Sequence, residues 1–180
     1  MKKIFIIPVL AGSLFLTSCG GGDNNQTQQE KAAVETVNET PEVDLNSIPG
    51  IQDIEFTQSF VLEGNDQMKF DKKLVKVKAG EKVSLQFKNV GELPIESMGH
   101  NVVILKPNVD VNRFGNEAMK AKDNEYIPLT MKASIVAHTK LLGPGQEETI
   151  EFVLEEKGVY PFICSFPGHY GVMKGEIVAF

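Results

Sequence analysis

The chain has 180 residues, 42% of them hydrophobic and 23% charged, enough for one globular domain and an additional segment. Its 18 basic and 24 acidic residues give a formal charge of −6, and no run of Lys or Arg offers the footprint of a nucleic-acid binder. Such a balance favours a partner with a basic or apolar docking face, through encounter rate and salt dependence.

Residues 1–18 are laid out as a signal peptide, with Lys2 and Lys3 ahead of the apolar run Ile4 to Leu16. That run has 13 residues and contains Pro8 and Gly12; a spanning helix needs roughly 20. The following Leu16-Thr17-Ser18-Cys19-Gly20 resembles the lipobox of bacterial lipoproteins, in which the cysteine is acylated and becomes the new N-terminus. An ordinary cleavage site ahead of a cysteine is the plainer alternative. Acyl chains on Cys19, at about 0.8 kcal/mol per buried methylene, would anchor the protein without a transmembrane helix. Loss of Lys2 and Lys3 would take the charge to about −8. Residue 20 is Gly rather than the Asp that often retains lipoproteins at the inner membrane, which slightly favours the outer membrane in a cell with two. The protein is therefore expected to be exported and to face the periplasm.

Residues 19–52 are rich in Gly, Asn, Gln, Glu, Thr and Pro, too polar to offset the entropy of ordering, and predict a flexible tether. With ~30 residues its mean reach is about 30 Å. A domain is expected over 53–180. Its texture is of short strands: Ile54 to Leu62, Leu74 to Lys78, Val83 to Phe87, Val102 to Leu105, Thr149 to Leu154, Tyr160 to Cys164 and Gly175 to Phe180. The clearest pair alternates apolar and polar residues on either side of Ala79-Gly80-Glu81. Seven to eight strands with turns between them predict an all-β fold, a β-sandwich. Asn112 to Tyr126, rich in Glu, Ala, Met and Lys, predicts one short inserted helix.

Only Cys19 and Cys164 are present. If Cys19 is lipidated, Cys164 is a lone thiol in an oxidising compartment, and its neighbours suggest why. In Cys164-Ser165-Phe166-Pro167-Gly168-His169-Tyr170-Gly171-Val172-Met173 a thiolate, an imidazole and a thioether fall within ten residues. Two imidazoles, one thiolate and a weak axial Met make the donor set of a blue-copper electron-transfer site. The second imidazole must come from His100 or His138, the other two histidines. His100, just ahead of an apolar strand, is the better placed; His138 reads as a loop residue.

Met98-Gly99-His100-Asn101, Ala137-His138-Thr139-Lys140-Leu141 and the run from Cys164 to Gly175 resemble, in order, three segments of the azurins, a cupredoxin family. The resemblance covers about 53–180. It implies a Greek-key sandwich with one copper near one end, held by His100, Cys164, His169 and Met173, with the Gly99 carbonyl opposite Met173. It also implies that Asn101 ties the ligand loops together and that the backbone N–H of Phe166 bonds the Cys164 sulfur. An apolar patch of Leu93, Met98, Phe166, Pro167 and Val172 would surround an exposed edge of His169 and meet transient redox partners. The chain departs from azurins in having no cysteine pair for their disulfide and no Trp.

A copper so nearly filled leaves little room for substrate and passes one electron at a time, so the expected function is that of a monomeric one-electron carrier rather than an enzyme. A copper chaperone or store is the alternative. Three histidines cannot build a multicopper oxidase.

Overall fold

The computed structural model describes residues 44–180; the leader, Cys19 and most of the expected tether lie outside the described residues. Two sheets face each other across one core. The first is ordered β2-β1-β4-β7, from Ser59–Asn65 (β1), Lys69–Phe70 (β2), Lys82–Asn89 (β4) and Glu147–Val153 (β7). The second is ordered β3-β9-β8-β5-β6, from Leu74–Val77 (β3), Val103–Leu105 (β5), Ile135–His138 (β6), Gly158–Ile163 (β8) and Lys174–Ala179 (β9). β1 runs parallel to β4 and β3 parallel to β9; the other pairs are antiparallel. Neighbours within each sheet are mostly distant in sequence, the wiring of a Greek-key sandwich.

β4 shows how the pattern makes the layer. Val83, Leu85 and Phe87 point inward and are buried, while Lys82, Ser84, Gln86 and Lys88 face outward. Across the core they meet residues of the second sheet such as Val75, Val77, Phe162 and Ile177. Phe70 packs on Phe87 and Phe162 at ring separations of 5.9 and 5.4 Å, joining the two layers. Among the described residues no helix is long and apolar enough to cross a membrane.

Several elements differ from expectation. The opening strand starts at Ser59 rather than Ile54, because Phe56 and Thr57 pair with Lys76 of the second sheet before the chain crosses to lie beside β4. Residues 44–52, read as the end of the tether, instead contain the 3-10 turn Leu45–Ser47 and most of a second, Ile51–Asp53, and Ile51 is only 1% exposed. Among the described residues, β2 and β6 bring the strands to nine. A four-residue helix, Ile95–Met98 (α1), precedes the expected one, which runs only over Val111–Ala118 (α2). Asp110 caps α2 by accepting from the N–H groups of Asn112 and Arg113. Beyond it the turn-favouring Asp123 and Asn124 leave a 3-10 turn at Lys122–Asn124.

Candidate metal centre

The site lies where the strand ends of the second sheet meet the loop between β8 and β9. Cys164 follows β8 directly, and its N–H donates to the Met173 carbonyl at 3.0 Å, closing the loop at its base. Phe166-Pro167-Gly168-His169 is a tight turn closed by His169 N–H to Phe166 O at 3.0 Å. Pro presets the first corner, and Gly168, at φ +83°, takes the left-handed second corner that a side chain would resist. The Val172 and Met173 N–H groups then both donate to the His169 carbonyl, at 3.0 and 2.8 Å.

His100 arrives from the other side. It exchanges both backbone hydrogen bonds with Leu142, at 3.0 and 2.8 Å. Gly99 must be Gly: a Cβ there would lie 2.7 Å from the Ile95 carbonyl oxygen and 3.1 Å from Leu141 Cγ.

The Cys164 sulfur lies 3.8 Å from His100 Nδ1 and 3.5 Å from His169 Nδ1, and the three donor atoms all fall within 4.8 Å of one another. Ligands at about 2.0 Å (N) and 2.3 Å (S) from one ion, roughly 120° apart, would be separated by about 3.7 Å. The soft sulfur and two imidazoles thus fit one ion such as copper in both distance and donor chemistry. All three residues are buried, and so is Met173. The Met173 methyl packs toward β1, where a Cβ on Gly64 would come within 2.7 Å of it.

Burial sets the acid–base state. Desolvation pushes the Cys164 thiol up to about 12, opposed by the backbone N–H groups of Asn101 and Phe166, which favour the thiolate. Desolvation, and then repulsion from His100, lowers His169 to about 4. His100 is lowered chiefly by desolvation. The Asn65 backbone partly opposes this, without meeting hydrogen-bond geometry at Nε2.

Asn101 braces the two segments. Its Oδ1 accepts from Ser165 N–H at 2.8 Å and from the Ser165 hydroxyl at 3.2 Å; its Nδ2 donates to Ser165 Oγ at 2.8 Å and to the Glu125 carbonyl at 3.2 Å. A backbone donor on one side and a backbone acceptor on the other fix the amide's orientation.

The expected patch is covered at Phe166 and nearly so over His169. His169 is 3% exposed, an imidazole covered except for a trace of edge, and Phe166 is buried rather than part of an open patch. Tyr126 sets its ring edge on Phe166 at 5.1 Å, and Phe166 in turn lies 4.8 Å from the His169 ring. Leu93 and Val172 are exposed, at 45% and 58%, while Met98 and Pro167 are half-buried. Val172 also borders a groove of about 350 Å³ with Lys73, Val111 and Lys174. His138 stands exposed at the end of β6, with Nδ1 3.0 Å from the Thr139 carbonyl oxygen, outside the metal cluster. Ser165, Tyr126 and Leu142 complete the support of the site; a Ser beside a suspected ligand was the only local sign of any of them.

Residues 57–179 match the family of copper binding proteins described as plastocyanin/azurin. An azurin of Alcaligenes faecalis is 38% identical over 121 residues, spanning 64% of this chain and 93% of that protein. "Outer membrane protein H.8" of Neisseria gonorrhoeae is 38% identical over 119 residues, which are 64% of each chain. In structure, an auracyanin of Roseiflexus castenholzii superposes with a TM-score of 0.63 at 32% identity, covering 70% of this chain and 99% of its own. An azurin of Methylomonas sp. strain J gives 0.62 at 26% identity, covering 69% and 98%. With the sandwich, the buried sulfur and imidazoles, and the family match in agreement, this chain belongs to the plastocyanin/azurin family of copper-binding cupredoxins.

Proposed function

We propose that this protein is a blue-copper one-electron carrier in which His100, Cys164 and His169 would hold the copper, with Met173 and the Gly99 carbonyl as further, weak ligands. The observation that carries the reading is the buried triad with donor atoms within 4.8 Å. Copper bound there supplies a one-electron couple between +1 and +2. The chain's own residues do the rest. Cys164 gives up its proton to become a ligand, and the N–H groups of Asn101 and Phe166 hold the sulfur against it. Asn101 locks the two segments, so the donors need move little when the charge changes. Burial excludes water and any substrate of size.

Electrons pass through the edge of His169, and partners dock transiently on Leu93, Met98, Pro167 and Val172. Such contacts bury less than ~1,200 Å² and suit a monomer that must release its partner. The lipobox-like sequence around Cys19 supports a carrier anchored to a membrane and facing the periplasm, by preference the outer one, and the Neisseria relative's name as an outer membrane protein is consistent with this. Loading the protein with Cu(II) should give an intense visible thiolate-to-copper band and a reversible one-electron wave. Tight Cu(I) binding without either would make it a copper chaperone or store instead.

A further inference from the structure

Glu125 and Tyr126 both adopt left-handed backbone conformations, with φ of 52° and 62°. One such residue is an ordinary way to end a helical turn, and Glu125 does this for Lys122–Asn124. A second in succession, on a bulky aromatic, is disfavoured by its Cβ and persists only where surrounding contacts over-determine it. Those contacts reach both sides of the metal centre. The Glu125 carbonyl accepts from Asn101 Nδ2, and its carboxylate Oε2 accepts from Leu141 N–H at 3.2 Å, next to the Leu142 that pairs with His100. The Tyr126 ring meets Phe166, whose own ring lies on His169 and whose backbone N–H favours the Cys164 thiolate.

We propose that Glu125 and Tyr126 are positioning residues of the metal centre: a strained two-residue clip that holds the His100 segment against the Cys164–His169 loop and thereby sets the copper potential. The proposal rests on the electron-carrier reading above. Its mechanism runs through the sulfur. A hydrogen bond to the thiolate withdraws density that would otherwise stabilise Cu(II), so loosening Phe166 should favour the oxidised state.

The test measures reduction potential and the visible band in Tyr126→Ala, Tyr126→Phe, Glu125→Ala and Glu125→Gln, together with the Ser165 and Phe166 amide shifts of the metal-free forms by NMR. At a fixed ambient potential, Tyr126→Ala should raise the oxidised-to-reduced ratio about tenfold, a potential lower by about 59 mV, and move both amides. Tyr126→Phe keeps the ring edge and should match wild type. Glu125→Ala should shift in the same direction, and Glu125→Gln, which retains an acceptor for Leu141, should restore it. If Tyr126→Ala does not fold, the glutamate pair decides alone. Potentials and amides unmoved in the alanine variants, with a blue wild type, would overturn the clip and leave the carrier reading standing. A wild type with neither band nor wave would overturn both.

Discussion

Replacing Asn101 by Ala should destabilise the metal-free protein by about 3 kcal/mol. The magnitude follows from what the amide leaves behind. Ser165 is fully buried, and both its N–H and its hydroxyl have Asn101 as partner. Each orphaned buried group costs about 1–3 kcal/mol. The Glu125 carbonyl also loses a donor, but it sits on an exposed residue where water can replace it. For a domain of this size the melting temperature should fall by about 10 °C. Urea unfolding of the metal-free form gives the free energy directly, provided the slope with denaturant is unchanged. Removing the hydroxyl as well, in Asn101→Ala/Ser165→Ala, should recover about 1 kcal/mol relative to the sum of the single changes, because one orphan disappears with its partner. A loss below about 1 kcal/mol for Asn101→Ala, or strict additivity in the double variant, would refute the view that this amide braces the site.

The metal-free protein should be most stable between pH 6.5 and 9. Because the folded state holds His169 neutral down to about 4, its contribution is present above 6.5 and is lost as the pH falls toward 4, by an amount of the order of 2 kcal/mol. Cys164 acts oppositely: its contribution is present below 9.0 and is lost as the pH rises toward about 12. Unfolding curves across pH check both limbs. Copper uptake must also release the Cys164 proton, so apparent affinity should rise about tenfold per pH unit between pH 7 and 9. Met173→Leu should remain blue with a raised potential, since loss of a sulfur donor disfavours Cu(II) more than Cu(I); voltammetry showing no change would remove Met173 from the axial position. Cys19→Ala should move the protein to the soluble fraction with its spectrum intact, and retention in membranes through a high-salt wash would contradict lipid anchoring.

The sequence made the sandwich legible wherever one face of a strand is buried and the other wet, as in β3 and β4, whose alternation is nearly complete. It hid β2, which is two residues long, and β6, whose Ile135, Val136 and Ala137 are all half-buried and show no period. Composition alone ended the tether too late, because a single apolar side chain such as Ile51 can order a polar segment when a pocket awaits it. The cluster of His100, Cys164 and His169 could be read ahead because two of its members lie on one short loop, and only His100 had to be chosen. Of what supports that loop, Asn101 came only through the family resemblance, and its partners were invisible locally. Ser165 and Asn101 are 64 residues apart, and Tyr126 lay at the end of an expected helix. The cover over His169 was missed for the same reason: Phe166 reads as a surface aromatic until Tyr126 is placed against it.

A Cu(II) titration of wild type beside Cys164→Ser, followed by visible absorption, is the sharpest test of Cys164 as the copper's thiolate ligand. Wild type should develop an intense charge-transfer band that saturates at one equivalent, and Cys164→Ser, whose hydroxyl is neither soft nor ionised at neutral pH, should stay folded and show none. An intense band that survives in Cys164→Ser would contradict the account, because no other cysteine lies among the described residues to produce it.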